Sequence, residues 1–206
     1  MRTLRCLIGN NAASSAAEFA LVLPLLLILL FGIIDAGRFM WEYNRAEKAT
    51  QMGARYAVVT AMVPSGLAGY SFSVSDGIVQ GTAVPTANFD SATCDNVNCS
   101  TCTGSVCGSI GYDGTAFNNI VNRMAAMYPP IAAGNVQVIY KNVGLGFAGN
   151  PDGPDVSTLV TVKLRGLSFH PVTCFVFPCS IPMPDFHASL TLEDADDNGL
   201  NPPRAN

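Results

Sequence analysis

Between Phe19 and Ile34 the chain reads FALVLPLLLILLFGII, 16 residues without a charge. At about 1.5 Å per residue a helix of that length covers roughly 24 Å, against ~30 Å of bilayer hydrocarbon. It needs flanking residues to span, and Ala12 to Ala17 on one side and Asp35 to Trp41 on the other can supply them. Trp41 and Tyr43 then fall where an interfacial aromatic belt is expected. Met1 to Asn11 carries Arg2 and Arg5 and no acid, the pattern of a flank retained in the cytoplasm.

Three readings of this segment compete. A cleaved secretory signal has a short apolar region soon after its positive charges and ends in a small-x-small site. Here 13 residues including Glu18 separate Arg5 from Phe19, and the run ends in Ile34-Asp35-Ala36-Gly37. A plain single-pass anchor, basic end inside, accounts for everything except Glu18, because a carboxylate at the edge of a membrane helix is costly without a partner. A cut between Ala13 and Ser14 is the third reading. It yields a free amine at Ser14 and a carboxylate at the fifth mature position, so that amine and Glu18 can face each other across subunits.

That constellation of basic leader, small residue at the cut, Glu18, Phe19 and a long apolar helix resembles a type IV prepilin. More narrowly, AAEFALVLPLLLILLFGIIDAGR, followed by Ala49 and Thr50-Gln51-Met52-Gly53-Ala54-Arg55, resembles the TadE-like minor pilins of the tight-adherence (Flp) pilus system. The family has Gly immediately before the cut, where this chain has Ala13. The resemblance implies processing by a prepilin peptidase at Ala13 and Ser14, with Glu18 and Phe19 at the mature N-terminus. It also implies other TadE-like minor pilins, a TadG-like protein and the major Flp pilin as partners, membrane lipid as surroundings, and a low-copy role in initiating, capping or stabilising the pilus. Localisation is then the bacterial inner membrane, N-terminus cytoplasmic and head outside, with access to the pilus or cell surface. TadG-like relatives add a large von Willebrand-type domain; Asp155-Val156-Ser157-Thr158-Leu159 lacks its D-x-S-x-S metal motif.

Past Ile34 the helical pattern continues, with no proline until Pro64. Small residues at Ala46, Ala49, Gly53, Ala57 and Ala61 share one face, and Gly32 and Ala36 form a small-xxx-small pair. Such a stripe serves packing under the chain's own head, bundling with other subunits below it, or both. Arg38, Glu42, Arg45, Glu47, Lys48 and Arg55 occupy the other side, with Asp35 and Arg38, and Glu42 and Arg45, at pairing distance in sequence.

At 206 residues the chain accommodates one head domain besides the anchor. The expected division is a basic leader over 1–13, a transmembrane and extended helix over 14–63 and an extracytoplasmic head over 64–206. Gly114 to Tyr128 carries Phe117, Ile120, Val121 and Met124 at helical spacing and stops at Pro129-Pro130. Tyr70 to Val74 alternates weakly. Strands are expected at Val136 to Tyr140, Val156 to Leu164 and His187 to Glu193, separated by Gly, Pro and Asp turns. The fold class is therefore α+β: a long N-terminal helix, then a small pilin-like head with one helix and an antiparallel sheet.

Removing residues 1–13 removes Cys6 and leaves Cys94, Cys99, Cys102, Cys107, Cys174 and Cys179, an even set suited to an oxidising compartment. Six cysteines allow 15 pairings, and spacing does not choose among them. Cys174 and Cys179 most simply staple their own loop. The C-x4-C-x2-C-x4-C cluster also fits four zinc thiolates, but its position beyond the membrane favours disulfides. Asp194, Asp196 and Asn198 open a calcium-loop pattern that Ala205 does not complete, which reads as an acidic tail with weak extracellular calcium binding left open.

Charged residues are 13% of the chain, 11 basic against 15 acidic, and no Lys/Arg cluster marks a phosphate-tracking surface, so nucleic acid is not expected as a partner. His170 and His187 are the two histidines, and no nucleophile-base pair or metal helix can be assembled around them. A non-enzymatic subunit without cofactor or metal is expected. The competing classes are an anchored extracytoplasmic binding domain that keeps 1–13 and tolerates Glu18→Ala, and a secreted disulfide-rich enzyme or inhibitor cut near Gly37.

Overall fold

The computed structural model describes residues 11–151, 153–175 and 179–192. The leader up to Asn10 and the candidate calcium residues Asp194, Asp196 and Asn198 lie outside them. Helix α1 runs Asn11–Ala57, 47 residues with Pro24 inside. It is followed by helical turns at Ser65–Ala68 and Phe72–Ser75, strands β1 (Ser91–Cys94) and β2 (Thr101–Thr103), and helix α2 (Gly114–Met127). Strands β3 (Val136–Lys141), β4 (Leu159–Leu164), β5 (Ser168–Phe169), β6 (Ile181–Pro182) and β7 (Phe186–Thr191) come next. The α+β expectation holds. Two compact units result, one of residues up to Glu42 with Ser168–Ile181, the other of Tyr43–Leu167 with the chain from Pro182 on.

In the second unit the sheet has the order β2-β1-β3-β4-β7, every neighbouring pair antiparallel. Its register brings Val138 opposite Val162, Tyr140 opposite Val160 and Val136 opposite Leu164, so alternate residues of the two central strands form one fully buried face. The other face mixes Ile139 and Leu159 with polar residues, among them Thr161 and Ser189, hydrogen-bonded across strands at 2.8 Å. β1 and β2 were not expected from the sequence. SATC and TCT are too short and polar to show alternation, and β1 is held by partners on both sides. The weak alternation at Tyr70 to Val74 instead ends in the turn Phe72–Ser75, where Asp155 accepts from the Phe72 amide at 2.8 Å.

α2 starts at Asp113, whose carboxylate accepts from the amides of Thr115 and Ala116 and so caps the helix. Its end is met from α1: Arg45 donates to the Met127 carbonyl through Nε at 3.0 Å and Nη2 at 2.7 Å, a cation on the negative pole of the helix. α1 stops at Ala57, before the expected limit at Val63. The β-branched Val58, Val59 and Thr60 weaken the helix there. Val63 then donates its amide to the buried Tyr140 hydroxyl at 3.1 Å and accepts from the Asp113 amide. Burial also pushes the Tyr140 phenol well above the ordinary tyrosine range.

Ala46, Ala49, Gly53 and Ala57 are buried within this unit, and Ala61 is half-buried. A Cβ at Gly53 would lie 2.7 Å from the Met124 Cγ and Sδ and 3.5 Å from Val162, so the missing side chain is what lets α1 approach both α2 and β4. Gly53→Val should therefore lower stability by about 1–3 kcal/mol despite its better helix propensity. Denaturant melts of the detergent-solubilised chain check this; an unchanged midpoint would show that Met124 repacks freely.

Candidate membrane and assembly site

The apolar run lies within α1 and is exposed along its length: Phe19 is 63%, Leu21 80% and Leu25 71% accessible, so none of the described residues covers it. Among the described residues this is the one helix long and apolar enough to cross a membrane. Pro24 removes one amide donor from the ladder, an interruption that membrane helices tolerate. Glu18 and Phe19 sit on exposed helix near its start, while Ala13 and Ser14 are helical in backbone.

One residue past the run, Asp35 is nearly buried. Its Oδ1 accepts from the Val172 amide at 2.7 Å, and its Oδ2 accepts from the amide and the hydroxyl of Thr173, both at 2.9 Å. The carboxylate thus caps the 3-10 turn Val172–Phe175 from a distance of 137 residues in sequence. Arg38 approaches Asp35 at 3.4 Å and Glu42 at 3.7 Å. Arg38 also lies over the Phe169 ring, 5.4 Å from its centroid, and that ring meets Phe39 edge-on at 5.4 Å. Gly32 and Ala36 line an apolar hollow of about 350 Å³ beside Phe39, Phe169 and Ile181.

The sequence pointed to Asp35 only through Arg38. Val172, Thr173 and Phe169 carry no local signal as its partners, and an acid immediately after an apolar run is the one clue that a partner was needed.

Six of the cysteines pair locally as Cys94–Cys99, Cys102–Cys107 and Cys174–Cys179. The four-cysteine cluster is thereby two disulfides and not a tetrathiolate zinc site. Among the described residues no three metal-capable side chains converge. His170 lies 3.5 Å from the Ser168 hydroxyl, and His187 is an exposed residue opposite Lys163 in the sheet.

A second hollow, of about 510 Å³, opens near Tyr70, Ser73, Gln80 and Asn150. Asp155 at its base is engaged by the amides of Phe72 and Asn150. Nearby, the Asp76 carboxylate accepts from the Ser105 hydroxyl at 2.5 Å, the Asn88 amide at 2.8 Å and the Tyr70 hydroxyl at 2.9 Å. The Ser105 bond foremost, with those of Asn88 and Tyr70, holds Asp76 below the ordinary carboxylate range. A depressed folded-state pKa contributes stability that is present above the unfolded value near 4 and is lost as pH falls through the folded value. Asp76→Asn should accordingly flatten the fall in Tm between about pH 5 and pH 3. Parallel slopes in the two proteins would remove Asp76 from the acid response.

The arrangement defines a class: a disulfide-bearing α+β unit carried on a long, uncovered apolar helix. Residues 13–55, which include the run, Asp35 and the small-residue stripe through Gly53, match the family model described as TadE-like protein. No curated protein and no solved structure matches the chain.

Proposed function

We propose that the chain is a non-enzymatic minor pilin of the tight-adherence type, anchored by a single pass of α1 and assembled through that helix. The observation that carries this reading is the coincidence of the TadE-like match over 13–55 with a helix whose apolar run is exposed and preceded by Glu18. In this reading a prepilin peptidase cuts between Ala13 and Ser14, and Glu18 neutralises the new amine of a neighbouring subunit. The N-terminus lies in the cytoplasm and the head outside the inner membrane. Other TadE-like proteins, a TadG-like protein and the major Flp pilin are its partners, and its role is to initiate, cap or stabilise the filament.

The test is the intact mass of the membrane-extracted protein after thiol alkylation, with and without reduction. A mass beginning at Ser14, with six thiols appearing only on reduction, is expected. Retention of residues 1–13 would sink the processed-pilin reading in favour of an anchored extracytoplasmic binding domain, and a start near Phe39 would make the chain a secreted protein.

A further inference from the structure

We infer that the segment Ser168–Thr173, with Ile181, is a foot seated in the headgroup and acyl boundary of the bilayer that α1 crosses. The inference rests on the anchor reading and adds a second contact with lipid to it.

The run from Phe19 to Ile34 falls short of the hydrocarbon thickness by about 6 Å, or roughly four helical residues shared between its two flanks. The hydrocarbon edge therefore falls within the first turn after Ile34, which is where Asp35 stands. Hydrogen bonds of 2.7 and 2.9 Å fix Val172 and Thr173 at the level of that carboxylate. The ring contact between Phe39 and Phe169 fixes β5 one turn further on. The segment is thus tied to the helix at the depth where lipid headgroups begin.

Its chemistry suits that depth. A carboxylate at the edge of the hydrocarbon is costly unless its oxygens are bonded. Asp35 has two backbone amides and a hydroxyl from the segment, besides Arg38. Outward the foot presents two apolar side chains, Val172 at 47% and Ile181 at 44% accessible, beside the exposed polar Ser168 and His170, the mixed surface that a headgroup boundary accepts. The hollow behind Ile181 has Gly32 as one wall, and Gly32 belongs to the run itself. That hollow therefore continues into the hydrocarbon, and the occupant its apolar walls and depth select is a lipid acyl chain. Arg38, half-exposed above Phe169, is placed to meet phosphate at the headgroup level.

The chain has a single tryptophan, Trp41, so a Trp41→Phe background has no tryptophan emission of its own. The full chain carrying Val172→Trp in that background is reconstituted into phosphatidylcholine vesicles brominated either close to the headgroup or close to the acyl terminus. Leu26→Trp in the same background reports the span. The foot predicts a blue-shifted Val172→Trp emission quenched about twofold or more by the shallow label and less by the deep one, as for an interfacial side chain. Leu26→Trp should show the reverse preference. If Leu26→Trp is quenched by the deep label while Val172→Trp emits as in water and is not quenched, the foot is overturned and the anchor stands. Should neither be quenched, the anchor reading fails and the foot with it. Disulfide crosslinking of Val172→Cys between two copies in the same vesicles, with Val172→Trp unquenched, would assign the surface to a chain-to-chain contact instead.

Discussion

Phe117→Ala is expected to destabilise the second unit by about 3–5 kcal/mol, the range for removing a fully enclosed phenylalanine from a core. Phe117 has no accessible surface and stands in the first turn of α2, with Ile120, Val121 and Met124 continuing its buried face. Its ring centroid lies 6.3 Å from that of Tyr112, in the loop just before the Asp113 cap. The loss is comparable with the whole stability of many domains, roughly 5–15 kcal/mol. It also exceeds what any one disulfide contributes. Each of the three closes a loop with a sequence separation of 5. On the chain-entropy account such a small loop is worth about 2 kcal/mol. Urea unfolding followed by far-ultraviolet circular dichroism, in detergent and under non-oxidising and oxidising conditions, separates the two contributions. Val74→Ala, at a position 82% accessible, should leave the midpoint in place. A Phe117→Ala midpoint equal to that of the parent would show that the disulfides and not the α2 interface hold this unit together.

Val136 to Tyr140 and Leu159 to Leu164 alternate because one face of each central strand is buried, so their period is written into the residues. The face of α2 is legible for the same reason. β1 and β2 are not, since a strand of three or four small polar residues is set by its neighbours' ladder and not by its own composition. Cysteine spacing left 15 pairings open, and the chain uses the one in which each cysteine joins a partner at a sequence separation of 5. The apolar run and Glu18 were readable, as amphipathicity and charge are local properties. Arg45 was readable only as one charge on a polar face, whereas its guanidinium bridges to a carbonyl 82 residues away. Asp35 is the same case at greater separation. Residues that act through long-range hydrogen bonds leave no periodic trace, and the candidate site depends on one of them, Asp35.

Asp35→Ala tests the more consequential of these. The substitution leaves the amides of Val172 and Thr173 and the Thr173 hydroxyl without their acceptor. A hydrogen bond to a charged group contributes about 1.5–3 kcal/mol, and every 1.4 kcal/mol is tenfold in an equilibrium. Amide hydrogen exchange at Val172 and Thr173 should therefore accelerate by about 10–100-fold in the variant. Amides in β3 and β4 belong to the other compact unit and should be unaffected. Asp35→Asn keeps one carbonyl acceptor and should fall between. Arg38→Ala should have the smallest effect: its side chain is 41% accessible, and exposed ion pairs contribute little. Equal protection of Val172 and Thr173 in the parent and in Asp35→Ala would mean that the Phe39 and Phe169 rings and the Cys174–Cys179 bond fix the segment by themselves. The carboxylate would then be a passenger at the end of the apolar run and not the group that ties the segment to it.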